Sequence, residues 1–185
     1  DILGGSKFTK DVDDGHVYYV VSGDGAIRLT YNDTDFAHPY LNFEMALIGG
    51  GGGAGSVFGG GGGAGGLLFK TLPLYAGVDY SLTVGSGGPV NTNGGDTEFN
   101  ATYVSFGGGK GGSAQKNDAA NGGSGGGAAA GSFAQGGITI QNQGNRGAAI
   151  TNNVDDPDVA ALYKNLQFAG GGGGHGTAGG QVIVD

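Results

Sequence analysis

The chain has 185 residues, 47 of them glycine, while charged residues make up only 13% and the net charge is −8. With no cysteine there is no disulfide framework, zinc–thiolate site or thiol nucleophile. No apolar stretch approaches the roughly 18 residues that cross a bilayer as a helix, glycine runs with four prolines exclude collagen, and each interior glycine opposes a helical bundle by about 1 kcal/mol.

Seven aspartates lie within the first 35 residues, and no basic cluster offsets them. Such a surface is a poor partner for phosphate backbones, so no nucleic acid is expected. The acid excess reads as solubility. The chain starts on Asp1 without a Lys/Arg-rich segment leading into an apolar one. It therefore reads as a processed fragment, and the missing targeting signal says little about location.

Disordered linkers are poor in aromatic and β-branched residues. This chain instead carries nine Phe, eight Tyr and Val/Ile/Leu-rich runs from end to end. It reads as one folded domain over residues 1–185. Residues 16–21 (HVYYVV) are β-branched and aromatic between Asp14-Gly15 and Ser22-Gly23-Asp24-Gly25, which are turn signals. Residues 26–31 and 41–48 alternate apolar and polar at period two, as half-buried strands do. Residues 67–72, 79–84 and 97–106 are further strand-like runs, and 138–140 and 181–184 are short candidates. Residues 156–166 differ. Asp156 suits an N-cap and Pro157 a first turn, while Val159, Leu162, Tyr163 and Leu166 share one helical face. They predict one short α-helix inside a long insertion, residues 138–168.

The glycines form a repeat. Residues 49–55 read GGGGGAG, residues 59–65 read GGGGGAG again, and residues 170–176 read GGGGGHG. Further tracts occupy 107–112 and 122–131. Glycine offers no side chain to pack and loses the most entropy on ordering, roughly 0.5–1 kcal/mol more than alanine per residue. Ordered runs need an offsetting gain. Extended three-fold helices of polyglycine II type would supply one, because bare backbones approach closely enough for N–H···O and Cα–H···O contacts. Ala54, Val57, Phe58 and Ala64 would then mark outer or end positions. The alternative is a flexible linker.

Residues 44–112 also carry an ordered succession: an apolar strand ending in a glycine run, a Tyr-containing strand closing on VGSGG, then NGGDTEF and a strand entering GGGKGG. In this they resemble the glycine-rich domain at the ends of bacteriophage tail fibres and in tail adhesins. The resemblance is tight over 41–112, looser over 121–184, and spans about two-thirds of the chain. It implies a mainly β fold, a β-sandwich or jelly-roll-like domain joined to a bundle of glycine helices. It also implies a receptor-binding tip that recognises a bacterial cell-surface protein or glycan through loops, carried on a virion tail fibre or cell surface and assembled as a homotrimer. The long insertion and the acidic N-terminal strands depart from the family pattern and leave the receptor open. Receptor ectodomains with glycine-rich regions are similar but usually carry cysteines. An ice-binding or matrix protein built from glycine helices predicts a flat Thr/Ala-rich face, and the threonines here show no regular spacing.

No catalytic site is expected, and no cofactor or metal. The three histidines, His16, His38 and His175, have no spacing that pairs them with one another or with carboxylates. Asp11-Val12-Asp13-Asp14-Gly15 lacks the acidic twelfth position of a calcium loop, where Ser22 stands, and reads as a turn. Binding falls instead to loops on a rigid scaffold, here residues 31–40, 113–121 and 138–168. The candidate receptor-binding residues in or beside them are Phe36, His38, Tyr40, Lys116, Asn145, Arg146, Tyr163 and His175. Aromatic and arginine side chains among these are the types that dominate interface hot spots.

Overall fold

The computed structural model describes residues 2–3, 8–13, 16–30, 40–113, 119–129 and 136–141. The expected helix at 156–166, the third glycine run, the strand at 181–184 and all of the insertion beyond residue 141 lie outside them.

The described residues are mainly β. In chain order the strands are β1 (Ile2–Leu3), β2 (Phe8–Asp13), β3 (His16–Val21), β4 (Gly25–Arg28), β5 (Tyr40–Ile48), β6 (Leu67–Tyr75), β7 (Asp79–Thr83), β8 (Thr97–Phe99) and β9 (Tyr103–Ser105). Five of them form one sheet in the order β1-β4-β7-β8-β9, while β2–β3 and β5–β6 are separate two-stranded pairs. Every strand pairing is antiparallel.

Period two identifies β4 and β5, and the apolar and aromatic runs identify β3, β6 and β7. In β5 the alternation turns Phe43, Met45 and Leu47 inward, and Leu47 packs with Leu74 of β6, Leu82 of β7 and Phe99 of β8. That buried cluster joins the β5–β6 hairpin to the five-stranded sheet, with Tyr80 stacked on Phe99 at a centroid separation of 5.7 Å. Three expectations change. Residues 97–106 form a hairpin, because Asn100 and Ala101 take φ of 52° and 51° and turn the chain between β8 and β9. Asp11 and Asp13 lie in β2 rather than in a turn, and the register pairs Asp13 with His16 across Asp14-Gly15. Residues 138–140 make a single parallel bridge, Thr139 to Gly122, rather than a strand.

No α-, 3₁₀- or π-helix is present among the described residues, and the described glycine runs are neither helix of these types nor strand. The runs at 49–55, 60–66 and 107–112 are nevertheless tied together by backbone hydrogen bonds. The antiparallel register of β5–β6, Tyr40 opposite Tyr75 and Ile48 opposite Leu67, continues into residues 49–55 and 60–66. There Gly49, Gly52 and Gly55 donate to the carbonyls of Gly66, Gly63 and Gly60 at 2.7–3.0 Å. The spacing of these bonds is three residues, where an antiparallel ladder alternates by two. The remaining groups of the same run face other neighbours. Gly50 and Gly53 donate to Gly95 and Thr92, and their carbonyls accept from Gly108 and Gly111. The carbonyls of Gly51 and Ala54 accept from Gly88 and Asn91.

Side chains close the remaining gaps at the same spacing. Asn93 Oδ1 accepts from the Lys110 amide and Asp96 Oδ1 from the Gly107 amide, at 2.9 and 2.7 Å. Thr97 Oγ1, on a buried residue, donates to the Ile48 carbonyl and accepts from the Gly85 amide. Ser105 Oγ, also buried, donates to the Gly66 carbonyl. The NGGDT segment is thus a clamp on the junction between sheet and glycine runs.

Two outcomes follow for stability. A Cβ on Gly53 would lie 1.8 Å from the Pro89 carbonyl oxygen, whereas one on Gly51 meets nothing nearer than 3.8 Å. Gly53→Ala is therefore expected to destabilise by about 3 kcal/mol or more and Gly51→Ala to be tolerated, as read by chemical denaturation. Thr97→Val keeps the shape but strips two backbone groups of their partner. It is expected to cost about 1–3 kcal/mol in the same assay.

Candidate functional site

The runs leave the sheet and return to it through turns. Residues 49–55 lead away from β5, turn at 56–59, and come back as 60–66 into β6. A second excursion leaves β7 at residue 84 and returns to β8, with Thr92 donating to the Pro89 carbonyl across Val90-Asn91. The two turns sit side by side. Ser56 donates its amide to Asn91 Oδ1 at 3.0 Å, Asn91 Nδ2 donates to Ser56 Oγ at 3.1 Å, and the Asn91 amide donates to the Ala54 carbonyl at 2.8 Å.

What these turns display is apolar. Phe58 is 74% exposed, Val90 63% and Val57 54%. Val57 and Phe58 also have φ of 50° and 52°, in the left-handed region. An L-residue there costs roughly 1–2 kcal/mol, and a β-branched residue such as Val is seldom found in it. Glycine would carry no such cost, and glycine stands on both sides of this turn. Asn91, at φ 63°, is the third of six non-glycine residues with positive φ among the described residues, so half of these gather at the two turns. Strain held in this way is a feature of binding and catalytic sites.

The sequence-predicted residues are placed differently. Tyr40 is described. It begins β5, at the far end of the hairpin from residues 56–59, and its ring centroid lies 5.8 Å from that of Tyr75. Nearby, Arg28 of β4 pairs with Asp79 of β7, and this hydrogen bond and charge hold the guanidinium above its ordinary pKa. Phe36, His38, Lys116, Asn145, Arg146, Tyr163 and His175 lie outside the described residues. Ser56, Val90 and Asn91 were not singled out by sequence reasoning, and Val57 and Phe58 only as end positions. The signal was there, since residues 56–58 are the only break between two identical seven-residue runs.

Among the described residues no group of His, Asp or Glu is placed to hold a metal ion, and no helix is long and apolar enough to cross a membrane. What the site offers is an exposed apolar surface on a hydrogen-bonded base, and its class is carried by the glycine runs beneath it. The chain belongs to the glycine-rich domain family. The family model matches residues 29–183, which takes in both turns and every run that supports them. No curated protein and no solved structure matches the chain. In this glycine-rich domain the runs form the base, and the turns are the part that differs in chemistry from it.

The strain makes a direct test. Val57→Gly removes roughly 1–2 kcal/mol of left-handed strain and adds about 0.5–1 kcal/mol of unfolded-chain entropy. Burial changes little, because the side chain is exposed. The variant is expected to be more stable than the parent, by about 0.5–1 kcal/mol, which thermal unfolding reads as a rise of about 2–4 °C per kcal/mol in a chain of this length.

Proposed function

We propose that this glycine-rich domain is the receptor-binding tip of a fibre adhesin, of phage tail-fibre type, and that residues 56–59 with 89–92 form its recognition surface. The observation that carries this is the pair Val57–Phe58: large, exposed and held at positive φ where glycine would be unstrained. A side chain kept at such a cost to the fold serves something outside the fold. Phe58 has the size and rigidity of an interface hot spot.

The glycine runs act in this reading as extended three-fold helices of polyglycine II type. Support comes from the three-residue spacing of their hydrogen bonds and from the separate neighbours met by successive residues. The strands form a sandwich-like base, supported by the shared core of the β5–β6 hairpin and the five-stranded sheet. A rigid base reduces the ordering cost of binding, since the turns need not be immobilised by the partner.

Labelled protein titrated onto a panel of whole bacteria tests the proposal. Phe58→Ala is expected to weaken binding about 30-fold, the equivalent of roughly 2 kcal/mol for a hot-spot aromatic, with unfolding unchanged. Binding to no strain, or equal binding by parent and variant, would overturn it. The fibre setting carries with it a homotrimer, and sedimentation equilibrium at micromolar concentration decides that separately: a monomer removes the trimer.

A further inference from the structure

We infer that Asn91 is a positioning residue, which holds the 56–59 turn in the strained form that displays Val57 and Phe58. The inference rests on the reading of that turn as the recognition surface.

A turn with two consecutive side-chain-bearing residues in the left-handed region relaxes unless its surroundings over-determine it. Within the turn, one backbone hydrogen bond, Gly55 to Gly60, spans the loop. Asn91 adds three more bonds to residues 54 and 56. Its side chain grips Ser56 at both the amide and the hydroxyl, and its own amide holds the Ala54 carbonyl. The Ser56 amide can only donate, which fixes Oδ1 as the atom facing it and leaves Nδ2 for the hydroxyl. Asn91 is itself well placed to act. Asparagine tolerates the left-handed region that its φ of 63° requires. Thr92, the next residue, is bonded to Gly53 in the neighbouring run. The grip therefore comes from a bonded part of the lattice and acts on the residue immediately before Val57.

The same geometry separates positioning from ligand contact. The side-chain amide of Asn91 and the hydroxyl of Ser56 are turned toward one another. Asn91 acts on a partner through the population of the displayed conformation. Affinity scales with that population, so a loss of order in the turn and a loss of binding share one factor.

The test pairs amide hydrogen exchange on the labelled full chain with binding to a bacterial strain that the parent recognises. Asn91→Ala is expected to speed exchange at Gly55 and Ser56 about tenfold and to weaken binding by about the same factor. Exchange at Gly52 and Gly63 is expected to stay as in the parent. Asn91→Asp keeps an acceptor for the Ser56 amide and is expected to restore most of both. Unchanged exchange at Ser56 in Asn91→Ala overturns the inference, as does faster exchange without weaker binding, or an Asp variant no better than Ala. If Phe58→Ala weakens binding while Asn91→Ala does not, the clamp alone fails. If Phe58→Ala binds as the parent does, the recognition surface itself is misplaced and the clamp's role falls with it.

Discussion

At most positions of the described glycine runs, backbone lies directly against backbone. A Cβ on Gly63 would stand 2.2 Å from the Ser124 carbonyl oxygen, and one on Gly108 would stand 2.0 Å from that of Gly63. Real carbon–oxygen contacts are never so short, so these positions exclude every residue but glycine. The same closeness lets N–H and C=O groups of runs far apart in sequence find one another. It supplies the gain that offsets glycine's large loss of chain entropy. Apolar burial in the β region does the complementary task of fixing where the runs begin. The Leu47, Leu74, Leu82 and Phe99 cluster packs β5–β6 against the sheet, and the pairing of β5 with β6 is carried outward unchanged.

Much of this was legible in the sequence, and the exceptions have physical causes. Alternation marked β4 and β5 because their inner faces share one core. It missed the turn in residues 97–106, where Ala101 takes a positive φ that its identity does not advertise. It missed β1, a two-residue strand too short to show a period, and β2, whose aspartates read as turn formers.

The glycine runs were ambiguous for a deeper reason. A flexible linker and an ordered run can have the same composition, and what distinguishes them is partners remote in the chain. The NGGDT segment was visible as a motif, but its work depended on facing the amides of Gly107 and Lys110, which no local pattern reveals. Recognition was sought in the long polar loops, following the general rule that loops carry function. Among the described residues the two turns carry Phe58, Val57 and Val90, while other exposed apolar side chains, Val20, Leu41 and Ile48 among them, lie in strands. Tyr40 is exposed but stands at the other end of the hairpin.

The unbroken register from β5–β6 into the runs has a mechanical consequence. A load applied at residues 56–59 and resisted at the sheet would be directed along the runs. The hydrogen bonds tying residues 49–55 to 92–95 and to 107–112 lie across that direction. They would be sheared together rather than opened one after another, as the rungs of a hairpin are when its two free ends are drawn apart. A scaffold of the least substantial side chains in the alphabet can in this way transmit tension between a small contact at one end and a cored sheet at the other.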